Sequence, residues 1–168
     1  MIQLIGKEWM LVTAGNENSF NTMTASWGGM GYIWERPSTF IFIRDTRYTY
    51  QFLQQHESFT LSFFNEKYRN ALRICGTMSG RNTDKVKEAG LTSLETPLGL
   101  MSFEEARMII ECKKMFVQEL DYANLTEPYK SKIMEEAYKN EPSKHQMFIS
   151  EIVNIWICLL YTSPSPRD

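Results

Sequence analysis

At 168 residues, 43% hydrophobic and 13% aromatic, the chain has the size of one domain with a substantial core. Lys and Arg total 18 against 20 Asp and Glu, a formal net charge of -2, which excludes a global basic field for nucleic acid or an anionic membrane and makes any anion site local. No apolar run approaches the roughly 20 residues of a membrane-spanning helix, and the start MIQLIGKEWM lacks the basic-then-apolar layout of a signal peptide, so the expected location is the cytoplasm.

In chain order, EWMLVTAG (8–15) is a β-branched run bounded by glycine and asparagine, as a strand should be. In NTMTASWGG (21–29), Thr22, Thr24 and Ser26 alternate with Met23, Ala25 and Trp27, giving one hydroxyl face and one apolar face; small residues would let a flat ring approach the backbone. Gly28 and Gly29 then allow a tight corner whose N–H groups can donate outward, although a half-exposed strand before a glycine turn fits the same residues. STFIFIRD (38–45) is the next strand. Its exit, RDTRYTY, sets Arg44, Thr46, Arg47 and Thr49 at a strand end and a helix start, where cations, hydroxyls and amides can converge on an anion; pairing of both arginines with surface carboxylates is the plain alternative.

The helix over 48–57 would share Tyr48, Phe52 and Leu53 on one face, and SFTLSFF (58–64) is again a strand. A helix over 67–76 is expected to stop at Gly76, and a short one over 83–90 at Gly90. Between them lies SGRNTDK. Its Ser79-Gly80 can turn backbone N–H groups toward a ligand, Arg81 can fork onto phosphate oxygens, and Asn82 or Thr83 can cap the next helix, though an exposed turn also accounts for it. The segment 106–120 suits strand or helix and is read as a strand, because Met108, Ile110 and Cys112 alternate. A helix over 126–140 is expected with Thr126 as its cap, Pro128 in its first turn and an apolar stripe of Ile133, Ala137 and Tyr138. The last strand is QMFISEIVNIW (146–156). Together these predict a mainly β, α+β domain with a β-barrel core and helices in the connections. The cysteines (Cys75, Cys112, Cys158) are odd in number and lack C-x-x-C spacing, so they read as small buried residues rather than a disulfide framework or zinc site. The end CLLYTSPSPRD, 158–168, has the composition of a translated adaptor and is set apart from a domain over 1–157, with a truncated native last strand as the expectation.

The motifs NTMTASWGGMGYIWERP, IRDTRYTYQFL, FTLSFF, CGTMSGRNTDKVKEAGL, ECKKMF and HQMFISEIV occur in an order that resembles the flavin reductase-like family that includes flavoredoxin, over residues 21–153. The resemblance implies an FMN-binding split β-barrel that holds FMN noncovalently, in a homodimer whose barrels meet along a broad face. It places Met23, Thr24, Ala25, Ser26 and Trp27 along the isoalloxazine edge, with Asn21 just upstream. Arg44, Thr46, Arg47, Tyr48 and Thr49 would hold the ribityl-phosphate side. The S-G-R-x-x-D-K element maps to Ser79, Gly80, Arg81, Asp84 and Lys85, with Lys85 on the phosphate or ribityl chain. The family's histidine and basic residue near the last strand become His145 and Gln146 here, which leaves His145 between a site residue and a hydrogen-bonded structural one. Cys75 reads as packing, and Trp34 as either a cover for the partner's flavin or an interface aromatic.

The activity so implied is hydride transfer from NAD(P)H to flavin with no side-chain nucleophile and no metal, the reduced flavin then passing electrons onward, to a protein acceptor among other possibilities. A flavoredoxin-type electron carrier and a non-enzymatic flavin-binding protein are the alternatives. No G-x-G-x-x-G is present, which leaves direct stacking of a nicotinamide on flavin open. The choice of NADH or NADPH and the final acceptor are not legible.

Overall fold

A computed structural model describes residues 2–140 and 143–158; the adaptor-like stretch from 159 onward lies outside the described residues. A short helix α1 (Ile2–Gly6) precedes strands β1 (Met10–Asn16), β2 (Ser19–Ala25), β3 (Gly28–Ile33) and β4 (Arg36–Arg44). Then come α2 (Tyr48–Gln55), β5 (Ser58–Phe63), α3 (Arg69–Thr77), α4 (Lys85–Glu88), β6 (Ser93–Glu95) and β7 (Met101–Phe103). The long β8 (Met108–Glu119), α5 (Tyr129–Ala137) and β9 (His145–Ile157) complete the described chain.

Seven strands form one antiparallel sheet in the order β2-β1-β5-β8-β9-β4-β3, and β6 pairs with β7 apart from it. The sheet's two edge strands, β2 and β3, are consecutive in sequence and joined only by Ser26 and Trp27. Seven flat strands would put those edges roughly 29 Å apart, whereas Ala25 and Gly28 can be separated by no more than about 11 Å. The sheet must therefore curl until its edges nearly meet without pairing. That is the split β-barrel, mainly β with helices in the connections, and no described helix is long and apolar enough to cross a membrane.

Alternation fills the barrel. Met10, Val12 and Ala14 of β1 point inward with Met23, Ala25, Ile41, Ile43, Leu61 and Phe148, while Leu11 points outward into a second cluster with Leu72, Cys75, Phe103 and Ile109. Each buried Val, Leu, Ile, Phe or Met among them contributes about 1.5–3 kcal/mol. The segment 108–119 is a strand; its ambiguity came from Glu111, a fully buried carboxylate that accepts from Thr96 Oγ1, Asn154 Nδ2 at 3.1 Å and Trp156 Nε1 at 2.8 Å.

Several local expectations are corrected. The corner after β2 is Ser26-Trp27, not the glycines: Gly28 and Gly29 open β3, and Gly28 is needed because a Cβ there would lie 2.4 Å from the Phe40 carbonyl oxygen. Helix α3 runs through Gly76, whose missing side chain lets α3 approach β2, since a Cβ would stand 3.2 Å from Thr24 Cβ. Asp84, rather than Asn82 or Thr83, caps α4 by accepting from the Lys87 amide. Pro128 occupies the cap position of α5 and Thr126 does not cap it by its side chain; the Thr126 carbonyl accepts from the Lys130 amide. Cys75 and Cys112 are buried as expected, but Cys158 is exposed.

Candidate functional site

Strand β2 is a sheet edge, so alternate N–H and C=O groups along it point away from β1. Helix α3 packs against one face of this edge: Thr24 Oγ1 donates to the Leu72 carbonyl, and Gly76 lies against the Thr24 side chain. Helix α2 meets the edge higher up, where Asn21 Nδ2 donates to Thr49 Oγ1 at 2.7 Å. The seam between β2, α2 and α3 is therefore held by side chains, and it holds three adjoining cavities.

The first cavity, about 280 Å³, runs beside the end of β2 and the corner, against Met23, Thr24, Ala25, Ser26, Trp27 and Arg44. The second, also about 280 Å³, shares Met23 and Arg47 with the first and adds Thr46, Tyr48, Thr49, Ser79, Arg81 and Lys85. The third, about 610 Å³, shares Lys85 with the second and is bordered by Asn21 and Gly80. Asn21, Met23 to Trp27, Arg44, Thr46 to Thr49, Ser79 to Arg81 and Lys85 thus each line at least one of three adjoining chambers, whereas Trp34, Cys75, Gly28 and Gly29 line none of them. Gly80 is required locally: a Cβ there would fall 2.0 Å from Asn21 Oδ1.

The hydroxyl face expected on β2 is largely spent inside the protein. Thr22 is buried with its Oγ1 2.9 Å from Thr13 Oγ1, and Thr24 is tied to α3, so backbone groups and Ser26 are what this edge offers to a ring. The cations also divide. Arg44 leaves β4 toward the β8–β9 connection, donating to Ser143 Oγ at 3.2 Å and to the Ala137 carbonyl at 3.1 Å, and it lines the first chamber, apart from Arg81 and Lys85. Arg47 stands between chambers and donates to the Gly76 carbonyl at 2.7 Å. Arg81, in a turn rather than at a helix start, lies 4.9 Å from the Tyr48 ring centroid and donates to the Thr46 carbonyl.

Lys85 is buried, with Nζ donating to the Cys75 carbonyl at 3.1 Å. Burial pulls its pKa down to about 8; the nearby Cys75 opposes that shift and Arg47 adds to it. The same burial lifts the Cys75 thiol to about 11, which keeps it neutral and fits packing rather than redox chemistry.

Sequence reasoning left out Phe42, Gly76, Thr77 and Met78, all on these walls. Phe42 was within reach: it lies two residues before Arg44 on the same face of β4. His145 has the hydrogen bonding of a structural histidine and also lines the first chamber. It is buried, the Tyr138 hydroxyl lies 2.8 Å from its Nδ1, and its ring stacks on Trp27 with centroids 4.8 Å apart at the wall of the first chamber. Tyr138 and Tyr122, 3.4 Å from the same nitrogen, carry no motif that could have flagged them. Burial, first, and the neighbouring Tyr122 raise the Tyr138 pKa, so its hydroxyl stays protonated.

The model for the flavin reductase like domain matches residues 3–161 of the chain. No curated protein sequence matches it. Among solved structures, flavoredoxin from Methanosarcina acetivorans aligns at 17% identity, covering 92% of this chain and 70% of its own, with a TM-score of 0.69. Flavoredoxin of Desulfovibrio vulgaris (Miyazaki F) aligns at 24% identity over 89% and 69% of the two chains, TM-score 0.66. An NADH:FAD oxidoreductase of Streptomyces globisporus aligns at 15% identity over 90% and 75%, TM-score 0.67. At these identities the likeness to each is one of fold.

Proposed function

Because the chain belongs to the flavin reductase-like domain family, we propose that it binds FMN along the β2 seam and transfers hydride from NAD(P)H to that flavin. The observation that carries this reading is that the first two chambers adjoin, with Met23 and Arg47 lining both. One offers a flat wall and an unpaired strand edge; the next gathers Arg47, Arg81, Lys85 and hydroxyls below the start of α2. That donor set suits a flavin phosphate, for which charge-assisted hydrogen bonds and a helix N-terminus are the chemistry required.

Bound flavin would supply the two-electron chemistry. The backbone from Thr24 to Trp27 would bond the ring's polar edge, Trp27 and His145 would hold its position, and Arg47, Arg81 and Lys85 would neutralise the phosphate. No side chain need act as a nucleophile. Anaerobic mixing of FMN-loaded protein with NADH and NADPH in turn tests the reading by the bleaching of flavin absorbance. Rapid bleaching by either supports a reductase; tight FMN with slow bleaching by both overturns it in favour of an electron carrier of the flavoredoxin kind, serving a protein donor and acceptor.

A homodimer of this single domain in the cytoplasm is part of the proposal. Tyr32 and Trp34 of the β3–β4 hairpin are 72% and 55% exposed, and Trp34 leans on half-exposed Phe116 with ring centroids 6.1 Å apart. Trp34 and Glu35 form the two-residue turn with φ of 50° and 58°, a conformation that favours glycine and asparagine. Bulky residues there cost roughly 1 kcal/mol each, a strain that burial against a second copy would offset. Replacing both, Trp34→Asn with Glu35→Gly, is expected to raise monomer stability by about 1 kcal/mol and to shift light scattering from dimer toward monomer. A dimer of unchanged strength would remove this hairpin from the interface.

A further inference from the structure

Beyond the corner, on the other side of Trp27, lies a cavity of about 530 Å³ that the flavin reading does not use. Its apolar wall comes from Trp27, Phe42, Leu120, Leu125, Ile133 and Ala137, so the apolar stripe of α5 faces it. Among the described residues, Trp27 and Phe42 alone line both this cavity and the ring-side chamber. The size falls within the roughly 300–1,000 Å³ of small-molecule sites. Tyr122 and Tyr138 supply the polar end, with both hydroxyls gathered at His145 Nδ1.

We propose that this chamber binds a small, uncharged, planar organic molecule of the phenol class, with Trp27 and Phe42 forming the wall it shares with the ring-side chamber. Charge decides the class. Among the described residues that line the cavity, Asp121 and Glu136 are acidic and none is basic; Arg44 reaches the wall through the Ala137 carbonyl and the Tyr138 ring, 5.6 Å from its guanidinium carbon, and Arg47, Arg81 and Lys85 belong to the other chambers. A nicotinamide dinucleotide or a second flavin nucleotide would bring its phosphates against carboxylates, and a carboxylate ligand would be repelled likewise. An uncharged ring meets aromatic and aliphatic walls and loses no solvation of charge. Its place beside a flavin rests on the flavin reading; the binding itself does not.

Calorimetric titration of FMN-loaded protein with 2-naphthol, against 2-naphthoate as the anionic isostere, tests the proposal. Expected are 1:1 binding of naphthol without release of FMN, and binding of naphthoate weaker by about tenfold or more. Ile133→Trp, on a helix with no buried residue of its own, should fill the chamber and weaken naphthol by about tenfold while leaving FMN fluorescence quenching unchanged. Equal binding of naphthoate, displacement of FMN by naphthol, or indifference to Ile133→Trp would each overturn the proposal. Binding by dissociated monomer but not by dimer would also overturn it, and would put a second copy over the cavity. Should the protein fail to bind FMN at all, the flavin reading falls, while titration of the flavin-free protein still reads the chamber.

Discussion

The chambers on either side of Trp27 are assembled by opposite rules. On the seam side, cations and hydroxyls come from short stretches at strand and helix ends, and each is fixed by a second contact: Arg47 to the Gly76 carbonyl, Arg81 on Tyr48, Lys85 to the Cys75 carbonyl. On the far side the wall is aliphatic and aromatic, drawn from β4 and from the β8–β9 connection, where α5 buries none of its residues. A site that places charge needs side chains held to within a fraction of an ångström, because electrostatic gain falls quickly with misplacement. A site that excludes water from a ring needs only shape, and a half-buried helix is enough. The difference predicts two ligands that respond independently to mutation, pH and salt.

The largest separation is expected from the arginines. Arg47→Ala should weaken FMN by about 10- to 100-fold, the loss of a charge-assisted bond or two worth about 1.5–3 kcal/mol each, and leave riboflavin and 2-naphthol nearly unaffected. Arg81→Ala should cost about tenfold or less, since Arg81 is exposed and its guanidinium already stacks on Tyr48. Fluorescence titration with both flavins checks this. Equal losses for FMN and riboflavin would show that Arg47 serves the protein through Gly76 rather than a phosphate.

What could be read from the sequence follows the same division. The seam was legible because each of its parts is local: a strand exit followed by a helix start at 44–49, and a glycine-led turn at 79–85. Their convergence needed the fold, since nothing in spacing says that Lys85 turns inward to Cys75. Period-two alternation identified the strands, including 106–120, despite a buried Glu111 whose partners Thr96, Asn154 and Trp156 are distant in sequence. Glycines misled in both directions. Gly76 looked like a helix stop and is a contact point for Thr24; Gly28 looked like a corner and is a strand residue under the Phe40 carbonyl. Of the apolar chamber only the stripe of Ile133, Ala137 and Tyr138 could be read, because Trp27, Phe42 and Leu120 share no motif with it and meet it only in the fold.

A second, intermediate effect concerns pH. Lys85 in the free protein has its pKa lowered from 10.5 to about 8, mainly by burial. A bound phosphate favours the charged form and raises that value, so binding takes up a proton when the free lysine is neutral. FMN affinity should therefore be full below pH 8 and fall as pH rises through it, while the phosphate itself, with a second ionisation near roughly 6, stays dianionic. The free protein responds in the opposite sense: between about 8 and 10.5 the unfolded chain holds the proton that the folded one has lost, so stability rises with pH across that window. Lys85→Met should abolish the decline in FMN affinity, and naphthol should show none in either protein. A decline that persists in Lys85→Met would assign the titration elsewhere.

The smallest effect expected is that of salt, and it bears on both chambers without altering either. Between about 20 and 200 mM monovalent salt the screening length shrinks from roughly 20 to 7 Å. Exposed Arg81 is the most readily screened of the seam's cations, half-buried Arg47 less so, and buried Lys85 least. FMN affinity should accordingly fall only about threefold, with most of that fall lost in Arg81→Ala. Burial of an uncharged ring involves no counterion, so naphthol affinity should stay constant or rise slightly as salt strengthens apolar association. Parallel titrations at the two ionic strengths decide the matter: an equal fall for both ligands would mean that charge governs both chambers and that Trp27 divides nothing.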